Sequence, residues 1–387
     1  MRHQPLVFAL MLVLLLGLAA PAGAQQKPLT AVQILSMVSG EVPGHRIAML
    51  IQQRGIDFNP DDKFLGQIKA AGGDPELITA LKSSKVTQPA NVDPHQAEIQ
   101  QHAAQGSVLL KRKQYADAEQ EYRAAIQLDP QNPDLHIMLG FTLGHEGNWD
   151  GQVDEERAAL NLTPNNDRAH LALGVALSQK NDPDGALAEY KEAIRLNPNN
   201  DRAHLALGVA LSQKNDQDGA IAEYKEAIRL NPNNDGAHVG LAFACTHNND
   251  WDGAIAEFRE ALRVNPNNDR THMSLGVVLS QKNDQDGAIA EYREAVRLNP
   301  ANEQAHIYLG NRLSHKSDWD GAIAEYRLAV QLDPKNQAVH YSLGWAYEQK
   351  GDQPDALQEY STAHQLDPQN ATYQQAWERM GQKGIPK

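Results

Sequence analysis

The sequence predicts an all-α protein built from stacked pairs of helices, and three observations carry that prediction. Prolines recur at Pro130, Pro164, Pro198, Pro232, Pro266, Pro300, Pro334 and Pro368, each 34 residues after the last. With this proline set as position 32 of a 34-residue unit, position 27 is alanine in all eight units, from Ala125 to Ala363. Inward-facing residues fall at positions 4, 7, 8 and 11, and again at 20, 24 and 27, spacings of three and four that keep one helical face. A period of this length marks a repeat architecture, because one helix pair cannot bury its own apolar face and must stack on a neighbour.

The third unit shows how each element arises. Its first helix carries His170, Leu173, Gly174 and Leu177 on one stripe. The segment Lys180-Asn181-Asp182-Pro183-Asp184-Gly185 is a run of helix breakers and predicts the turn. Asp182 and Asp184, at positions 16 and 18, are expected to cap the second helix and complement its positive end. That helix buries Ala186, Tyr190 and Ala193, and proline in Asn197-Pro198-Asn199-Asn200 prevents its continuation. Small residues at positions 8, 20 and 27 let helix axes approach, and an aromatic at position 24 fills the remaining space. Position 8 is glycine except for Ala242, and position 24 is aromatic except for Glu156. With Gln152 at position 20, the second unit departs most from the pattern.

Leu-Gly at positions 7 and 8, Ala at 20, an aromatic at 24, Ala at 27 and Pro at 32 together resemble the tetratricopeptide repeat. The resemblance covers eight units: 99–132, 133–166, 167–200, 201–234, 235–268, 269–302, 303–336 and 337–370. It implies a right-handed superhelical solenoid of eight helix–turn–helix units with a concave groove. Two features depart from the family. Position 4, usually aromatic, is histidine throughout (His102, His136, His170, His204, His238, His272, His306, His340), and position 11 is mostly leucine. Units three and four differ only at Pro183 versus Gln217 and Leu187 versus Ile221. That identity extends to surface positions and points to duplication, so groove length can vary without loss of the architecture.

The remaining segments predict covers and an address. Arg2, the apolar run Leu6 to Ala20, and Ala22 and Ala24 form a signal-peptide pattern over 1–24, with cleavage expected after Ala24. Residues 25–85 predict a small helical module of four helices and unknown role, and 86–98, with Pro89 and Pro94, a linker. Residues 371–387 predict a C-terminal capping helix with Tyr373, Trp377 and Met380 turned toward the last unit. The chain is expected to be exported, periplasmic or secreted, with no membrane span once the signal is removed.

Composition and motifs narrow the function. With 35 Lys+Arg against 49 Asp+Glu, the chain lacks the broad basic surface expected of a nucleic-acid partner. One cysteine, Cys245, excludes an internal disulfide framework. Equivalent histidines in stacked helices should lie roughly 10 Å apart, whereas a shared metal needs nitrogens at about 2 Å. No metal, cofactor or catalytic constellation is therefore assigned, and the chain is expected not to be an enzyme. What remains is binding. Positions 2, 5 and 9 of each first helix form a second stripe, which in the resembled family lines the groove. The expected partner-binding residues are Arg168, Leu171, Val175, Arg202, Leu205, Val209, Val239, Phe243, Arg270, Met273, Val277, Ile307, Asn311, Tyr341 and Trp345. The stripe is expected to be exposed and to receive a protein or peptide segment, in an interaction scaffold that could serve envelope assembly. A glycan or cell-wall binding module is the alternative, resting on Phe141, Phe243, Tyr341 and Trp345.

Overall fold

In a computed structural model, which describes residues 27–40, 42–86 and 94–383, helices follow one another with short connections. The signal segment and most of the expected linker lie outside the described residues. Four helices open the chain: α1 (Ala31–Ser39), α2 (Gly44–Arg54), α3 (Asp62–Ala70) and α4 (Pro75–Ser83). Eight antiparallel pairs follow: α5 (Pro94–Lys111) with α6 (Tyr115–Leu128), α7 (Pro133–His145) with α8 (Trp149–Leu162), α9 (Asp167–Gln179) with α10 (Pro183–Leu196), and α11 (Asp201–Gln213) with α12 (Gln217–Leu230). Then come α13 (Asp235–His247) with α14 (Trp251–Val264), α15 (Asp269–Gln281) with α16 (Gln285–Leu298), α17 (Glu303–His315) with α18 (Trp319–Leu332), and α19 (Gln337–Lys350) with α20 (Gln353–Leu366). α21 (Ala371–Lys383) closes the series. The described β pairing is confined to isolated parallel bridges of Ile56 with Leu29 and Val86, which draw together the two ends of the first four helices.

Short polar side chains set the helix boundaries. Asn at position 34 caps each following first helix: the Asn200 side chain accepts from the Ala203 amide, and Asn302 does the same for Ala305. Asp at position 16 caps the second helix: Asp182, Asp216, Asp250, Asp284 and Asp318 each accept from a glycine amide three residues on, at 2.9–3.0 Å. Asp at position 18 has a different task from the expected cap. It pairs with the position-14 lysine of the next unit, as in Lys282–Asp252 at 2.8 Å and Lys350–Asp320 at 2.6 Å. Such exposed pairs are worth little singly.

Position 15, inside each turn, has positive φ in every unit: Lys113, Gly147, Asn181, Asn215, Asn249, Asn283, Ser317 and Gly351. Asn and Gly tolerate that conformation best, which is why they dominate the position.

Contacts divide the chain into two compact units, Met1–Gly240 and Leu241–Lys387, with the boundary inside α13. In the first, one large apolar cluster runs from α1–α4 into α5–α11, beside a small one of Ile137, Ala159 and Ala169. The initial helices are therefore fused to the repeats rather than set beside them. In the second, Phe258, Tyr292, Tyr326 and Tyr360 are the buried aromatics between paired helices. At its end α21 turns Ala376 and Met380 inward, whereas Trp377 is exposed and stacks on His364 at 5.1 Å. Trp377 thus faces the last unit as expected, but from the rim of the contact, while Ala376 and Met380 are buried.

Candidate partner-binding groove

The groove stripe of the first unit is already occupied, and its occupant is α1. This helix packs against α5 and α7, the first helices of the first two repeats. Ser39 Oγ donates to Ser107 Oγ at position 9, 2.7 Å away. Arg168 Nη2, at position 2 of the third repeat, donates to Ser36 Oγ at 2.6 Å, and its Nη1 meets Asp134 at 3.3 Å. Arg202, at position 2 of the fourth, reaches the Gly40 carbonyl at the C-terminal end of α1, 3.5 Å away. From α2, Arg46 pairs with Asp201 at 2.7 Å, and Asp201 also accepts from Asn231 and Asn234. Every α1 residue except Gln33 is buried. Six of its nine residues are apolar, and the polar three, Gln33, Ser36 and Ser39, share one stripe, from which the two serines bond the repeats.

The consequence for the expected site residues is a division. Arg168, Leu171, Val175, Arg202, Leu205 and Val209 are buried, at 9% exposure or less, and so are not the free surface expected of them. Substituting Arg202 would break its bond to the Gly40 carbonyl, and Val209 is itself buried, so neither probes an open surface. Val239 is half-buried. In Leu241–Lys387 the same stripe is open: Phe243 is 40% exposed and Trp345 37%, Arg270 is exposed, and Met273, Val277, Ile307, Asn311 and Tyr341 are half-buried. Asn311 accepts from the Tyr326 hydroxyl at 2.6 Å. Trp345 is braced by Trp319, ring centroids 5.2 Å apart and nearly perpendicular.

The aberrant second repeat lies beneath the occupied stripe. Glu156 and Gln152 are fully buried, and both Glu156 carboxylate oxygens, Gln152 Oε1 and Arg168 Nε have no hydrogen-bond partner. Burial drives the Glu156 pKa well above the carboxylate range; Arg168 opposes the shift and Glu155 adds to it.

The histidine column forms a ladder of bonds. Nδ1 of His102, His136, His170, His204, His272, His306 and His340 meets the position-23 glutamate of its own repeat at 2.6–2.7 Å. In six of these rings, all but His102, Nε2 also meets the preceding position-32 proline carbonyl, at 3.0–3.3 Å. A neutral imidazole has one N–H; with acceptors at both nitrogens, only the imidazolium satisfies both. For His136 and His340 the glutamate bond is the largest influence and raises the pKa. For His204 and His272 burial is the largest single influence and lowers it, but the glutamates and the proline carbonyl together outweigh it, so these are raised too.

Desolvation alone predicts loss of stability in acid; the bonding reverses that sign. Folded pKa values above the unfolded value of about 6.5 give stability that is complete below it and is lost as pH rises through the folded values. The urea midpoint should therefore fall between pH 6 and pH 8. Changing His136, His204, His272 and His340 to Gln should flatten that slope. His145, lowered by burial and by Lys113, works in the opposite direction as one ring against four. A midpoint that rises over this range in the wild type would refute the ladder.

Comparison with known proteins follows the same pattern. Tetratricopeptide repeat models match residues 171–235 and 247–303, and residues 337–370; a TPR repeat model matches 106–147 and 310–351. Among solved structures, the chain is similar to a chain of the APC/C hetero-tetramer Cut9-Hcn1, with 17% identity over 91% of this chain and 67% of that one, TM-score 0.52. It is also similar to YrrB, described as a TPR protein with an unusual peptide-binding site (23% identity, 49% of this chain, 97% of that one, TM-score 0.45). A third is PilF of Pseudomonas aeruginosa (20% identity, 59% and 99%, TM-score 0.48). None of the curated proteins matches. At these identities the structural likeness concerns the fold alone.

Proposed function

Since the chain belongs to the tetratricopeptide-repeat proteins, whose repeats serve as protein-interaction scaffolds, we propose that it is an exported scaffold that holds a partner protein segment against the open stripe of its last repeats. The observation that supports this reading is a contrast in burial: positions 2, 5 and 9 of the third and fourth repeats are buried, whereas Arg270, Met273 and Val277 of the sixth are exposed or half-buried. Mixed apolar and polar side chains left uncovered in a row mark an interaction surface. Export rests on the signal pattern of residues 1–24, and a role in envelope assembly on export together with the absence of catalytic motifs. The stripe is better suited to a peptide than to a glycan, because Trp345 is braced by Trp319 and Phe243 packs edge-on to Phe258 at 5.3 Å.

The test is a photo-crosslinking amino acid placed at Val277 or, as a control, at the buried Val175, in chain expressed with its signal. Crosslinks to one envelope or extracellular protein from position 277, and none from 175, are expected. Crosslinks from neither position would refute the groove as the binding surface. A mature N-terminus that retains residues 1–24 would refute export with cleavage.

A further inference from the structure

The bonding of Arg168 is shared between two helices and is incomplete. On α1, Ser36 Oγ accepts from its Nη2 at 2.6 Å; on α7, Asp134 accepts from its Nη1 at 3.3 Å, longer than the usual range. Its Nε is buried without a partner. On α8, the Glu156 carboxyl is fully buried and both its oxygens lack partners, as does Oε1 of Gln152 one turn earlier. The carboxyl lies against the bare backbone of Gly140 on α7, where an added Cβ would come 2.7 Å from Oε1. A donor and two acceptors are thus left open in one buried neighbourhood. That arrangement holds only while Glu156 is neutral, because an unpaired buried carboxylate costs far more than an unpaired carboxyl.

The other charges nearby are already engaged. Glu155, the neighbour of Glu156 on α8, is bonded to His136 of α7 at 2.7 Å. Asp167, beside Arg168 on α9, accepts from Asn197 and Asn200. Arg54 of α2 acts on Asp134. Among the described residues, Arg168 is the cation that acts on Glu156.

We propose that Arg168 is a latch with two catches: it holds Ser36 of α1 while Glu156 is neutral, and it turns to Glu156 when that carboxyl gives up its proton to solvent, freeing the C-terminal turn of α1. A carboxylate engages a guanidinium through two adjacent N–H groups, here the open Nε and one Nη, so the new pair forms at the expense of a present bond. Burial holds the Glu156 pKa well above the carboxylate range, so the seated state is the one favoured in acid. Ser39 stands three residues after Ser36 on the same side of α1 and donates to Ser107, at position 9 of the first repeat. Loosening this turn therefore loosens the cover of that groove position as well. The apolar residues of α1 stay packed on α5 and α7, so the latch governs the end of the helix and not the whole of it.

The test is hydrogen exchange of α1 in the full chain from pH 6 to pH 9, corrected for the intrinsic effect of pH. Protection is taken relative to α15, which lies in the other compact unit and records any general loss of stability, that of the histidine ladder included. Relative protection of residues 35–40 should fall about tenfold or more further in the wild type than in Glu156→Gln, whose side chain cannot ionise; this is the usual effect of losing a bond to a charged group. Ser36→Ala, which removes the outer catch, should start from the lower protection at pH 6 and respond to pH no more than Glu156→Gln. A wild-type value that stays constant overturns the proposal. So does an equal fall in the wild type and Glu156→Gln, or a full response that survives in Ser36→Ala. If Glu156→Gln does not fold, the wild type and Ser36→Ala decide between these outcomes.

Discussion

Gly208→Leu should lower stability by about 1–3 kcal/mol or more, the range for forcing a large side chain into a packed contact. A Cβ at Gly208 alone would lie 2.7 Å from Tyr224 Cε1 and 3.3 Å from the Ala220 carbonyl. The ring cannot step aside, because a Cβ at Gly240, on the following repeat, would likewise meet Tyr224 at 2.6 Å. Tyr224 is thus clamped between two backbones that both lack side chains, and any atom added on one side must move a helix. Asn215→Leu is the companion variant. It touches no packed surface, but φ at Asn215 is 65°, so leucine there should cost about 1 kcal/mol. The measurement is the urea midpoint of both, with hydrogen exchange of α11 and α12 to locate the damage, since a stack can lose one repeat locally. Equal midpoints would refute the assignment of position 8 as the tight helix–helix contact.

The opposite result is expected from repairing the second repeat. Gln152→Ala with Glu156→Phe should stabilise the protein by about 2 kcal/mol or more, because buried polar atoms without partners cost about 1–3 kcal/mol each. Phenylalanine is chosen because position 9 of this repeat is Phe141, and the fifth repeat already pairs Phe243 with Phe258 across positions 9 and 24. A tyrosine would bury a hydroxyl: the second repeat has Gly144 at position 12, where Ser280 and Ser314 approach the Tyr292 and Tyr326 hydroxyls. Arg168 keeps Asp134 and Ser36 after the change, so α1 should stay seated. The pH dependence is diagnostic. Glu156 has a folded pKa well above its unfolded value, so wild-type stability is greatest below the unfolded value of about 4.3 and is lost as pH rises through the folded value. The gain from repair should accordingly be larger at pH 7 than at pH 4.5. A variant no more stable than wild type at pH 7 would mean that Glu156 is charged and paid no desolvation penalty.

Much of the repeat architecture was legible because it is local. Proline at position 32, aspartate at 16 and asparagine at 34 act on backbone within three residues, so their effect needs no knowledge of the rest of the chain. The clearance at Gly208 was equally readable, since its partner Tyr224 lies 16 residues on in the same unit. The histidines are legible only in part. Their burial follows from position 4, but the glutamate 19 residues later and the proline carbonyl six residues earlier are bonds that a stripe diagram does not display, and they invert the charge argument.

By itself, the sequence determined the eight helix pairs, their caps and turns, and which side chains share the stripe of positions 2, 5 and 9, because these depend on spacing within 34 residues. Only the tertiary structure decided which part of that stripe is free. Ser36 meets Arg168 across 132 residues, and Arg46 meets Asp201 across 155. No periodicity encodes contacts at such separations, because they come from a non-repeating helix folding back onto a repeating surface. The apolar residues of α1 require that it be covered, but apolar burial is non-directional, and its place is fixed by the bonds of Ser36, Ser39 and Gly40 to Arg168, Ser107 and Arg202.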